Sequence, residues 1–162
     1  MYFAHKKLIF ILLLFIPKVV FATCLGINCT CTISASTFNL GSYAPLSGSA
    51  TSNTGTVSVT CTALLASLDV SYVISLNAGS SGTFTARTMQ FSSYNLNYNI
   101  YTTAAHTTIW GDGTAGTGTI SDTYSLSSNS TTRNYTTYGL IPASQNVTPG
   151  AYSDAITATV TF

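Results

Sequence analysis

Beyond residue 22 no stretch of the chain holds a helical period, and short runs of two-residue alternation recur between turn residues instead. That pattern admits β-strands and little else. Val57, Val59 and Cys61 alternate over residues 56–62, and Val70, Tyr72, Ile74 and Leu76 over residues 69–76. Ile33 and Ala35, followed by Phe38 and Leu40, mark a first strand whose phase slips near Ser36 and Thr37. Strands are also expected over 84–91, around Leu96, Tyr98 and Ile100, over 133–141 and over 152–162. The loops between them are 41–53, 77–82, the glycine-rich 111–118 and 142–150. Seven or so short strands at this spacing predict an all-β sandwich of two sheets. No repeat of solenoid length is visible, and the length suits one domain.

Residues 1–22 have a different character. Lys6 and Lys7 precede the nine-residue apolar run LIFILLLFI, Pro17 and Lys18 close it, and Val20, Phe21 and Ala22 end on a small residue. This is the pattern of a secretory signal, with cleavage expected between Ala22 and Thr23, and the run is short for a membrane span. The mature chain is then 23–162, working outside the cytoplasm. Of five Lys and Arg, that leaves Arg87 and Arg133 against Asp69, Asp112, Asp122 and Asp154, with no Glu anywhere. Two separated Arg cannot neutralise a run of phosphates, so nucleic acid is excluded as a partner. The acid–base repertoire is equally thin, His106 being the one His downstream, so no enzyme activity and no cofactor are expected. With no Lys and one cleavable-looking Arg on each of two segments, the mature chain also offers trypsin-like proteases few sites.

Export makes the four cysteines readable. In an oxidising compartment Cys24, Cys29, Cys31 and Cys61 are expected to form two disulfides. Cys29 and Cys31, two apart on an extended strand, sit too far from each other to bridge easily. One of them therefore reaches Cys61. Pairing Cys31 with Cys61 closes a loop of about 30 residues, worth about 3 to 4 kcal/mol in chain entropy, and leaves Cys24 with Cys29. The swapped pairing, Cys29 with Cys61, stays open.

The end of the chain carries the most information. Tyr152, Asp154, Ile156, Ala158, Val160 and Phe162 fall on one face of the last expected strand, with small and hydroxyl residues on the other. Exposed edges are normally blunted with Lys, Pro or charge, and none follows Asp154. Such an edge suits pairing by another chain; the competing reading is an ordinary last strand already flanked on both sides.

Several strings closely resemble the spore coat protein U domain, the domain of subunits in archaic chaperone-usher pili. They are CTISASTFNLGSY at 31–43, VSVTCT at 57–62, YNIY at 98–101 followed by WGDG at 110–113, and GAYSDAITATVTF at 150–162. The resemblance runs in order through nearly all of 23–162. It implies an immunoglobulin-like sandwich lacking its last strand, held by a periplasmic chaperone, passed to an outer-membrane usher, and completed by donor-strand exchange with other pilin subunits. It also implies a disulfide at the positions of Cys31 and Cys61, and a terminal carboxylate on Phe162 that anchors to a basic chaperone residue. The expected acceptor groove comprises Ile33, Phe38 and Leu40 on the first strand and Ile156, Ala158, Val160 and Phe162 on the last. The chain departs from the family ahead of Cys31, where only residues 23–30 follow the signal. A donor needs about ten alternating residues, so this subunit is expected to accept a strand without giving one, which places it at the tip of a fibre. The alternative is a secreted coat or surface-adhesion protein not assembled into a fibre.

Other constellations are weaker. His106 and Asp112 with the abundant Ser lack any nucleophile-elbow motif. Asp112 in its Gly-rich turn has no second carboxylate nearby for calcium. Trp110 with Tyr94, Tyr98 and Tyr101 reads as a sugar-binding patch or, more simply, as cross-strand packing.

Overall fold

The computed structural model describes residues 23–24, 29–45, 47–64, 68–126 and 129–162. The expected export signal, Ala22 included, lies outside them. Ten strands are described: β1 (Thr23–Cys24), β2 (Thr30–Ala35), β3 (Thr51–Thr62), β4 (Leu68–Leu76), β5 (Thr88–Phe91), β6 (Tyr94–Asn97), β7 (Asn99–Tyr101), β8 (Ile120–Leu126), β9 (Ser130–Ile141) and β10 (Ala158–Thr161). Antiparallel β2–β3–β9–β7 form one sheet, and β5–β6 a hairpin. In the other sheet β4 pairs β8 on one edge, while β10 and β1 share the opposite edge.

Alternation turns directly into layers, because successive strand side chains point to opposite faces. Val70, Tyr72, Ile74 and Leu76 of β4 are buried, as are Val57, Val59 and Cys61 of β3 and Tyr124 and Leu126 of β8. Each fully buried aliphatic side chain contributes about 1.5 to 3 kcal/mol. Trp110 is completely buried among them, and its indole donates to the Ile74 carbonyl at 3.0 Å. The outward faces carry hydroxyl ladders, such as Thr60 with Thr132 at 2.8 Å.

Four expectations need correction. The first strand ends at Ala35, where the phase slips, and Phe38 and Leu40 follow it in irregular backbone. The segment 84–91 divides into a 3-10 turn (Phe84–Ala86) and β5, because Arg87 between them turns its side chain into the core. β8 was not expected at all: its inward phase carries Asp122, which masks the apolar alternation of Ile120, Tyr124 and Leu126. The final strand is four residues long, not eleven. Upstream of it, Ser153 bridges Gln90 of β5 and Thr157 bonds Asn77, and Asp154 between them accepts bonds from side chains and local amides in place of a ladder.

Candidate functional site: a groove between two unpaired edges

Cys31 and Cys61 stand directly opposite each other in the β2–β3 ladder and are disulfide-bonded. Cys29 is disulfide-bonded as well; the side chain of Cys24 lies outside the described residues. The bond ties β2 to β3, but among the described residues nothing pairs the other edge of β2. The edge of β10 away from β4 is likewise unpaired.

Between these two strands the sandwich is open. A groove of about 930 Å³ runs there, floored by Val57, Leu76, Leu96, Ile100 and Ile141. One wall is the segment after β2, with Phe38, Leu40 and Tyr43; the other is the segment leading into β10, with Tyr152, Asp154, Ile156 and Ala158. The first wall lies over Gly139 and Gly55. A Cβ on Gly139 would overlap Leu40 and Phe38, and one on Gly55 would meet Phe38 at 2.8 Å.

The burial pattern shows what this opening means. From Tyr152 to Val160 every second residue is half-buried and every intervening one exposed. These residues have the phase of a core face without the cover of one.

Polar order is confined to one end. The Asp154 carboxylate accepts from the Ser80 amide (2.9 Å) and hydroxyl (2.5 Å), the Ala155 amide (2.8 Å) and the Tyr98 hydroxyl (2.7 Å). Partial burial works to raise its pKa, but these bonds outweigh it and hold the carboxyl below the usual carboxylate range. Tyr98 is pushed up, first by burial and then by its bond to Asp154. Arg87, entirely buried nearby, is pulled down by desolvation.

Of the expected groove residues, Phe38, Leu40, Ile156 and Ala158 line the groove. Ile33 and Val160 are partly buried against the core but do not line it, and Phe162 is 43% exposed. Sequence reasoning missed Met89 and Val147, which show no clear period, and Leu76, Leu96 and Ile100, whose alternation was visible but was read only as strand pattern. The four aromatics weighed as a patch or as packing do not gather on one surface: Trp110 and Tyr98 are buried, Tyr94 is exposed, and Tyr101 packs edge-on against His106 at 5.1 Å. Asp112 accepts from the Thr114 amide and hydroxyl, closing a turn. Among the described residues no cluster of three His, Cys, Asp or Glu is placed to hold a metal, and no helix is long and apolar enough to cross a membrane.

Comparison with known proteins agrees with this architecture. The chain is similar over 83% of its length to a chain in the crystal structure of the CsuC–CsuE chaperone–tip adhesion subunit pre-assembly complex, from archaic chaperone-usher Csu pili of Acinetobacter baumannii, with a TM-score of 0.52 and 21% identity. It spans about two-fifths of that chain, the match covering 40% of it. The likeness supports an immunoglobulin-like sandwich. No curated protein matches the chain. The Spore Coat Protein U domain matches residues 18–159, so the chain belongs to the Spore Coat Protein U domain family.

Proposed function

We propose that this protein is a structural subunit of a chaperone-usher pilus whose groove receives a strand from another subunit. The observation that carries the reading is the alternating, half-buried inner face from Tyr152 to Val160, facing an apolar groove between two unpaired strand edges. An extended segment laid there would make backbone bonds to those edges and drop alternate side chains onto the floor, the mode known as β-augmentation. About four or five apolar side chains, each worth roughly 1.5 to 3 kcal/mol on full burial, would complete the core.

An open groove of this kind is also an aggregation hazard. A periplasmic chaperone would cover it before assembly, and an outer-membrane usher would exchange that cover for a neighbouring subunit. The solved relative, described as a chaperone–subunit pre-assembly complex, supports the chaperone partner. The final location is the cell surface, after export by the expected signal. The role is structural and not enzymatic, His106 and Asp112 being engaged by Tyr101 and Thr114. A tip position fits the pairing of β1 with β4, since it holds residues 23–24 against the subunit's own sheet.

The test is strand binding by the full chain. Synthetic twelve-residue peptides with alternating apolar residues should raise its thermal midpoint, equivalent to about 2.7 kcal/mol at a hundredfold excess over Kd. Ile156→Asp, at the groove wall, should abolish the shift while the Cys31–Cys61 disulfide still forms. If the chain alone stays monomeric and no peptide moves its midpoint, the sandwich is already complete and the reading fails.

A further inference from the structure

We propose that Asp154 selects the strand that fills the groove, accepting one that carries a lysine or arginine at the inward position facing it and rejecting one with a carboxylate there. This rests on the reading of the groove as a strand acceptor and names the chemistry of its partner.

The groove lining is apolar or uncharged at every position except Asp154. That carboxylate stands on the inner face between Tyr152 and Ile156, where an incoming strand would pass. Its two oxygens are used unequally. Oδ1 accepts the two bonds from Ser80 and the one from Ala155, whereas Oδ2 accepts only the Tyr98 hydroxyl. A carboxylate oxygen has about two lone-pair sites, so Oδ2 keeps one for a further donor. The bonds it already accepts keep the group ionised at neutral pH.

No cation of the described residues satisfies that charge directly. Arg87 acts on Asp154 through its field alone, its terminal nitrogens donating to Asn99, Asn77 and Trp110, and Arg133 pairs with Asp122 at 3.5 Å. The fold makes deliberate room for the carboxylate: Gly79 adopts φ +69°, and a Cβ there would strike Asp154 Oδ2 and come within 2.8 Å of Ile156. A partly desolvated carboxylate in an apolar groove, with no cation of the described residues in contact, penalises a second carboxylate and rewards a cation, since charge-assisted hydrogen bonds are about twice as strong as neutral ones.

The same charge arithmetic indicates whose strand it is. Residues 23–30 contain no Lys or Arg, Arg87 is buried, and Arg133 is committed to the β3–β9 ladder and to Asp122. A second copy of the described chain therefore has no free basic segment to offer. The occupant is an extended segment of a different protein, alternating apolar residues around one basic side chain.

The experiment titrates the full chain with twelve-residue valine/threonine peptides in which Lys, Ala or Glu is placed in turn at each inward position. At one position Lys should bind about tenfold tighter than Glu, and Asp154→Asn should shrink that ratio below about twofold. Tyr98→Phe frees Oδ2 and should keep or widen the preference, which maintains the test if the Asp154 variant fails to fold. Binding without discrimination at any position, a preference that survives in Asp154→Asn, or one lost in Tyr98→Phe overturns the role of Asp154 while leaving the acceptor groove in place. If no peptide binds, the groove reading itself falls, and this proposal with it.

Discussion

The Arg87 guanidinium donates through Nη1 to the Asn99 carboxamide oxygen at 2.8 Å, in a part of the core where Arg87 has 0% and Asn99 6% exposure. Nη2 donates to the Asn77 carbonyl at 2.6 Å and the Trp110 carbonyl at 2.8 Å, and Asn99 donates onward to the Phe84 carbonyl at 2.8 Å. One cation thus ties together three chain segments, at residues 77, 99 and 110. Asn77 in turn accepts the Thr157 amide at 2.9 Å, so the network also anchors the approach to β10 and one wall of the groove.

Replacing Arg87 by Lys keeps a charge but loses the planar fork that serves three acceptors at once. Arg87→Lys should cost about 2 to 3 kcal/mol, and Arg87→Ala about 3 or more, because the orphaned carbonyls and carboxamide remain buried. Urea unfolding of the oxidised protein measures this directly. A change under about 0.5 kcal/mol, the level of an ordinary surface substitution, would show that the network holds nothing.

The same burial governs proteolysis. The described residues contain no Lys, Arg87 is inaccessible, and Arg133 lies within β9, its backbone paired with Val59 of β3. Trypsin should leave the folded chain intact and cut after both arginines only once it unfolds, so digestion rate becomes a reporter of opening. A fragment ending at Arg87 under native conditions would contradict its place in the core.

Cys31→Ser with Cys61→Ser should lower stability by about 3 to 4 kcal/mol, the chain-entropy value for a loop of 30 residues. The loss is expected at constant register, since the β3–β9 ladder extends from Thr51 to Thr62 without the bond. Urea midpoints of the oxidised double variant and the oxidised wild type measure this; a difference below about 1 kcal/mol would show that the unfolded chain is already constrained there, and reduction of the wild type, which also opens the bond of Cys29, should cost at least as much.

Gly139 offers a way to disturb the groove without touching its lining. A Cβ at this position would overlap the Phe38 ring and the Leu40 side chain. Overpacking costs about 1 to 3 kcal/mol, and pushing Phe38 and Leu40 outward should also weaken peptide binding. Gly139→Ala with undiminished stability and affinity would show that the wall moves freely.

What could be read in advance follows from how each residue meets its surroundings. The alternation of Val70, Tyr72, Ile74 and Leu76 announces β4 because both its neighbours and its face obey one period. That Cys29 or Cys31 reaches Cys61 was legible in the spacing, and the family resemblance pointed to Cys31. Phe38, Leu40, Ile156 and Ala158 were expected at a groove because the family resemblance implies one, and the apolar phase of residues 152–162 said which last-strand side chains would face it. Arg87 could not be read this way: an arginine in a Thr-rich stretch looks solvated, and its acceptors are carbonyls that only the fold assembles. Asp122 hid β8 for a related reason, its charge being tolerated at an inward phase by Tyr135 and Arg133, residues of another strand. The length of the last strand also depended on a distant choice, that of Asn77 and Ser80 to bond residues 154–157 in place of a ladder.

The second polar chain in the core sets a limit on alkaline stability. The Tyr72 and Tyr135 hydroxyls lie 2.5 Å apart, and because Tyr135 donates to Asp122 Oδ2 at 2.6 Å, Tyr72 is the donor between the two tyrosines. Burial pushes Tyr72 up to about 12, and it raises Tyr135 too, alongside the bonds to Asp122 and Tyr72. An unfolded tyrosine ionises near 10. Between those values the unfolded chain sheds protons that the native one retains, so the contribution is complete below pH 10 and is lost as pH rises towards 12, by up to about 1.4 kcal/mol per pH unit for each such tyrosine. Urea midpoints at pH 9, 10 and 11 should therefore fall above pH 10, and the slope should lessen in Tyr72→Phe, which removes the titrating hydroxyl. A stability that stays flat to pH 11 would show that these hydroxyls ionise as readily in the fold as outside it.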